Sequence, residues 1–154
     1  GYFISKNNLV ALGNTRLAIV DAKNNFNVPM QSQNQKQIIS FNGEIYNFQE
    51  LRQELESRRH EFCSQTDSEV VLNAWVEWGA DCVYRFNGMF AFAIWDISRQ
   101  QLFCARDRLG IKPFHYARKD GLFIFASEIK SLLSAGLDAS PDWSTWATYL
   151  THGY

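Results

Sequence analysis

The sequence predicts an α+β protein in which antiparallel sheets pack against helices. Three observations carry the prediction. Two segments in the first half combine a Ser/Thr/Asn-type cap with apolar residues at helical spacing. From Gly88 onward, four strand-like runs follow one another with only short turns between them. And the strict strand–helix–strand alternation of a parallel sheet is missing from the 154 residues.

"LVALGNTRLAIVD" (9–21) is two short apolar runs broken by Gly13-Asn14-Thr15-Arg16, and reads as strand, break, strand. Residues 22–35 are rich in Asn and Gln and read as a loop. "KQIISF" (36–41) is a strand that ends on "NGE". Asn47, with Glu50 three residues later and Phe48, Leu51 and Leu55 at helical spacing, predicts a capped helix over 47–58. Thr66 and Glu69 repeat the signal. Val70, Val71, Ala74, Trp75 and Trp78 fall on one face, and Gly79 stops that helix. A shorter helix covers 80–86. "MFAFAIWD", "QQLFCARD", "FHYARKD" and "GLFIFAS" form the strand run, with "ISRQ" and "KDG" among the turns. Glu128–Ala135 is a short helix ended by Gly136. A last helix starts at Ser140 or Pro141. The one domain boundary falls near 136–142.

Composition is that of a globular chain: 46% hydrophobic, 20% charged, formal net charge −1. Nucleic acid or an anionic membrane would need clustered Lys and Arg, and the basic residues are scattered. No apolar run approaches the ~20 residues of a membrane span. Cys63, Cys82 and Cys104 are odd in number and widely spaced, as in a reducing compartment. His60, His115 and His152 are equally far apart, so no metal site is expected.

Three short features could carry chemistry. Asn42-Gly43-Glu44 offers an amide and a backbone N–H that can meet at one point, the donor pair that acyl transfer needs for its oxyanion. The same tripeptide also fits a strand-to-helix turn. Arg16, at a strand edge, suits bidentate binding of a carboxylate, or is a solvated surface group. Asp67, in the first turn of a helix, is a counter-ion for a ligand ammonium or a plain helix-dipole partner. Taken together they describe a pocket for a zwitterion whose side chain undergoes acyl transfer: Arg16 for the α-carboxylate, Asp67 and Glu44 for the α-ammonium or a nearby amide, Asn42 and Gly43 for the reacting carbonyl. "ARDRLGIKPF" (105–114) is a basic, Gly-containing loop, but its Gly spacing is not that of a phosphate loop, and it reads as a structured connection.

"TRLAIVD", "FNGEIYNFQELRQEL", "TDSEVVLNAWVEWG", "RFNGMFAFAIWD", "LFCARDRLGIKPFHYA" and "FASEIKSLL" resemble, in order, motifs of the class II glutamine amidotransferase domain of glutamine-dependent asparagine synthetases. The resemblance implies an N-terminal-nucleophile hydrolase fold, a four-layer αββα sandwich with two mainly antiparallel sheets. It implies residues 1–136 as the glutaminase domain, incomplete at its start, and 137–154 as the linker and beginning of a synthetase domain. Carried over motif by motif, the glutamine pocket is Arg16, Leu17, Ile19, Val20, Asn42, Gly43, Glu44 and Asp67, with Asn42 and Gly43 as the oxyanion hole. The domain itself needs no cofactor or metal; ATP and Mg belong to the synthetase domain of the same polypeptide. The family is cytoplasmic and often dimerises through this domain.

Two departures stand out. The family's nucleophile is a cysteine at the mature N-terminus, with its own α-amino group as general base. It should precede Arg16 by a few dozen residues, and none of the three cysteines matches. The chain as it stands is therefore expected to be inactive. The family also has His where this chain has Asn14. Two non-catalytic readings use the same residues: a degenerate scaffold docked on a synthetase, and a glutamine-sensing module. The acceptor of the ammonia, asparagine's precursor or another carboxylate, is not encoded in these residues.

Overall fold

In a computed structural model, residues 1–15 and 28–153 are described. They form two compact units, 1–113 and 114–154. The division falls inside the run of strands, and the boundary expected near 136–142 lies within the second unit.

The first unit is built on a four-stranded antiparallel sheet in the order β3-β4-β5-β6: Met30–Gln31, Gln37–Ile45, Gly88–Asp96 and Gln101–Arg106. Helices α1 (Phe48–Ser57) and α2 (Asp67–Trp78) follow β4, and a 3-10 turn, Gly79–Tyr84, follows α2. A short pair, β1 (Tyr2–Ile4) and β2 (Ala11–Gly13), precedes them. β1 and β3 were not expected. Both are too short for a period-2 pattern to show. β3 ends at a turn in which Ser32 N–H donates to Gln37 O and Gln35 N–H to Ser32 O.

β4 also corrects the sequence reading. Asn42, Gly43 and Glu44 are not a turn after the strand; they are its last residues but one, paired with Ala91, Phe90 and Met89 of β5. Gly43 is required by close approach: a Cβ there would lie 2.7 Å from Phe90 Cα and would strike the Met89 carbonyl.

Side chains alternate across the sheet. Ile39, Phe41 and Ile45 of β4 join Phe90, Phe92, Ile94 and Phe103 under the helices, where Leu51, Leu55, Val70, Val71, Ala74 and Trp75 meet them. Trp75 stacks on Phe103 at 4.6 Å between centroids, and Phe86 meets Phe90 edge-on at 5.7 Å. Trp75 Nε1 and Gln37 Nε2 donate to the buried Asp96 carboxylate at 3.1 and 3.3 Å. The opposite face carries Ile38, Ala91, Ala93 and Trp95, all buried as well. Strands buried on both faces read as continuous apolar runs, which is what "MFAFAIWD" is.

The two helix starts behave differently. Thr66 Oγ1 accepts from Glu69 N–H at 3.4 Å and caps α2 as expected. The Glu69 carboxylate turns instead to Cys63 N–H, Ser64 N–H and Ser64 Oγ, and fastens the loop before the helix. Asn47 stands at the N-cap of α1 but makes no capping bond. Its amide is taken by the loop after the 3-10 turn, donating to Arg85 O and accepting from Asn87 N–H. Thr66→Ala should cost about 1 kcal/mol in urea unfolding; Asn47→Ala should loosen the 85–87 loop rather than α1, readable by amide exchange at Asn87.

In the second unit, β7 (His115–Lys119) and β8 (Leu122–Ala126) form a hairpin. Its tip, Asp120-Gly121, has φ of 51° and 78°, the mirror-image turn that two-residue hairpins favour. α3 (Ile129–Ser134) packs Leu132 inward. α4 is Trp143–His152, and its N-cap is Asp142 rather than Ser140 or Pro141, because the Asp142 carboxylate accepts from Ser144 and Thr145 N–H. Trp143, Trp146 and Leu150 of α4 are exposed. Among the described residues no helix is long and apolar enough to cross a membrane.

Candidate functional site

The C-terminal half of β4 has two edges, and only one is used by the sheet. Phe90 turns both its N–H and its C=O to Asp107, the N–H donating to Asp107 Oδ2 at 3.2 Å and the C=O accepting from Asp107 N–H at 2.8 Å. In an antiparallel ladder, opposed residues exchange both bonds or neither. Gly43, opposite Phe90, therefore points its N–H away from β5. On that outer edge β3 reaches only to Ile39. The neighbouring groups on the edge are held by side chains: Phe41 C=O accepts from Asn14 Nδ2 at 3.1 Å, and Ile45 N–H donates to Asp67 Oδ2 at 3.1 Å.

This edge faces a pocket of about 650 Å³. Asn14, Asn42, Gly43, Glu44, Asp67 and Lys112 line it, with Phe41, Phe48, Met89 and Ser68 among the rest of its wall. Four residues singled out in the sequence, Asn42, Gly43, Glu44 and Asp67, thus share one concavity. β4 brings the first three. Asp67 arrives at the first turn of α2, which the Thr66 cap and the Glu69 clasp position. Arg16, Leu17, Ile19 and Val20 lie outside the described residues.

Asp67 is half-buried. Burial pushes its carboxyl above the ordinary carboxylate range, the Ile45 and Ser68 N–H groups pull it part of the way back, and Glu44 adds to the rise. The sign follows. A carboxyl whose folded pKa is raised favours folding below its unfolded value and loses that advantage as pH climbs through the folded one. Asp67→Asn keeps an oxygen for Ile45 N–H and removes the charge. It should raise stability to urea at pH 7, by a margin that shrinks as the pH is lowered toward about 4; a variant less stable at every pH would contradict this.

Asn14 is anchored on both sides: its side chain holds Phe41 C=O, and its main chain pairs with Gly1, N–H to O at 3.0 Å. It acts on the pocket by holding the strand edge. Sequence reasoning did not place Lys112 in the pocket. Its signal lies in the basic loop 105–114, which the sequence marks as a structured connection rather than a phosphate loop. That loop is a structured connection: Leu109, Ile111 and Lys112 N–H, the groups such a loop would offer to phosphate, are committed to the Asp107 carboxylate.

None of the three cysteines lines the pocket. Burial pushes the Cys82 thiol up to about 12 and the Cys104 thiol up to about 11, far from a ready thiolate. Among the described residues no group of three or more His, Cys, Asp or Glu is placed to hold a metal ion.

The fold is that of the amidotransferases. The chain superposes on glutamine phosphoribosylpyrophosphate amidotransferase from B. subtilis, solved with ADP and GMP, with a TM-score of 0.59 over 70% of this chain and 25% of that one, at 23% identity. The profile of the glutamine amidotransferase domain matches residues 1–154, and the chain belongs to that family. It is 46% identical over 127 residues to asparagine synthetase [glutamine-hydrolyzing] 3 of Bacillus subtilis, covering 81% of this chain and 20% of that protein. It is 38% identical over 151 residues to asparagine synthetase [glutamine-hydrolyzing] 1 of the same organism, covering 98% and 23%. The amidase chry2 of Gibberella zeae is 35% identical over 143 residues, covering 93% and 21%. The chain thus spans about a fifth of the length of these curated relatives.

Proposed function

We propose that this chain is the glutaminase portion of an asparagine-synthetase-like enzyme, a polypeptide that hydrolyses glutamine to glutamate with a nucleophile from outside these residues and supplies the ammonia to an ATP-dependent synthetase portion. One observation carries the reading: Gly43, whose N–H points away from β5, lines the same pocket as Asn42, Glu44 and Asp67.

In this reading glutamine enters with its ammonium toward Asp67 and Glu44 and its α-carboxylate toward Arg16. Its amide oxygen sits between Asn42 Nδ2 and Gly43 N–H. A thiolate adds to the amide carbon, and the two donors hold the oxyanion that forms. The C–N bond then breaks, ammonia departs with the proton the thiol gave up, and water hydrolyses the thioester to the side-chain carboxylate. The weak thiols of Cys82 and Cys104, and the absence of all three cysteines from the pocket wall, support a nucleophile supplied from ahead of Gly1, at the mature N-terminus. ATP and Mg enter only as reagents of the synthetase portion. We extend the fold in the same way to the four-layer sandwich, supported by a sheet apolar on both faces. Residues 137–154 are assigned to the start of the synthetase portion, supported by the exposed apolar stripe of α4.

The test is release of glutamate from glutamine by the polypeptide with the sequence upstream of Gly1 included, together with labelling by a glutamine-mimicking electrophile. Release and labelling at an N-terminal Cys are expected. Neither release nor labelling would sink the proposal, and glutamine binding without release would make the domain a sensor.

A further inference from the structure

Lys112 lines the pocket, and the mechanism above gives it no role. Its main chain is fixed on both sides. The N–H donates to Asp107 Oδ2 at 2.9 Å, and the C=O accepts from Arg106 Nε at 2.6 Å. Asp107 in turn grips both backbone groups of Phe90, the residue opposite Gly43. The root of the Lys112 side chain is therefore tied to the strand that backs the candidate oxyanion site.

The side chain is half-buried. Among the described residues no carboxylate comes within ion-pair distance of it, although Glu44 and Asp67 stand in the same pocket wall. A lysine in the wall of a ligand pocket, with no carboxylate of the described residues paired to it, is suited to a ligand anion. The ligand class already argued for has just one kind of anion to offer. We propose that Lys112 binds a carboxylate of the bound amino acid, an inference that rests on the glutamine reading of the pocket.

That carboxylate has two sources. The α-carboxylate is common to glutamine and glutamate. The side-chain carboxylate exists only in glutamate, after hydrolysis. In the first case Lys112 serves substrate capture; in the second it holds the product and sets its release.

Calorimetric titration of the chain with L-glutamine and L-glutamate separates them, and needs no catalytic thiol. Lys112→Gln should weaken binding about 10-fold or more, the worth of a charge-assisted hydrogen bond. Equal weakening for both ligands assigns the α-carboxylate; weakening for glutamate alone assigns the side-chain carboxylate. Either supports the proposal, provided Lys112→Arg, which keeps the charge, retains most of the affinity. Unchanged affinities in Lys112→Gln, or equal loss in Lys112→Arg, overturn it and leave the glutamine reading standing. A wild-type chain that binds neither amino acid overturns that reading, and this inference with it.

Discussion

Replacing Asn42 by Ala, in the polypeptide with the sequence upstream of Gly1 included, should lower kcat for glutamine hydrolysis about 100- to 1,000-fold, the cost of one oxyanion donor, with KM little changed. The reason is where the bond is made. In the proposed mechanism the amide oxygen of bound glutamine is a neutral carbonyl, and only in the tetrahedral state does it carry the charge assigned to Asn42 Nδ2 and Gly43 N–H. An interaction made only there lowers kcat and kcat/KM together. Asn42→Asp keeps the shape and turns the donor into a charged acceptor, so it should do at least as badly. Stability should barely move, because the main chain of residue 42 keeps its ladder opposite Ala91. Gly43→Ala is the contrasting variant. Its new Cβ would meet Phe90 Cα at 2.7 Å, so β4 must move off β5 and carry the outward-pointing N–H with it. Activity and stability should then fall together, stability by about 1–3 kcal/mol, as overpacking does. A loss confined to KM in Asn42→Ala would assign that side chain to binding and not to the transition state.

What could be read from residues alone followed the range of the interactions. α2 was legible because its cap, its apolar face and its terminating Gly79 are all local signals, and all are used. α1 was placed correctly, but its cap was not, because Asn47 is claimed by Arg85 and Asn87 from nearly forty residues away. β4 was cut short at Phe41 for the same reason. "NGE" has poor strand propensity, and what extends the strand is the pairing of Gly43 and Glu44 with Phe90 and Met89, a tertiary fact. The error mattered. As a turn, Asn42-Gly43-Glu44 would have two free edges; as a strand it has one, and that edge singles out the Gly43 N–H. The grouping of Asn42, Gly43, Glu44 and Asp67 came from chemical type and from resemblance. Lys112 needed the fold, because a loop's tether cannot be read from its spacing.

That tether gives the second large effect. Asp107 is 6% exposed and accepts four backbone N–H groups: Oδ2 takes Phe90 and Lys112, Oδ1 takes Leu109 and Ile111. Burial alone would raise its pKa; the Lys112, Ile111, Phe90 and Leu109 donors outweigh burial and hold it below the ordinary carboxylate value. Removing the carboxylate strands those donors. Leu109 and Ile111 are exposed and can turn to water, but Phe90 is buried and Lys112 half-buried. At about 1–3 kcal/mol for each buried orphan, Asp107→Ala should cost about 4 kcal/mol. Asp107→Asn should fare little better, since one of its two heavy atoms becomes an NH2 facing N–H donors. The pH dependence has the opposite sign to that of Asp67. A lowered carboxyl pKa contributes stability that is full above the unfolded value and drains as pH falls through the folded one. Wild type should therefore lose stability below about pH 4, and both Asp107 variants should show a flatter acid limb in urea unfolding. The pocket should report the same damage, because this carboxylate fixes both the strand behind Gly43 and the root of Lys112: amino-acid affinity should fall in Asp107→Asn even at temperatures where the variant is fully folded. Full affinity in a folded, destabilised Asp107→Asn would separate the tether from the site and leave Asp107 a purely structural residue.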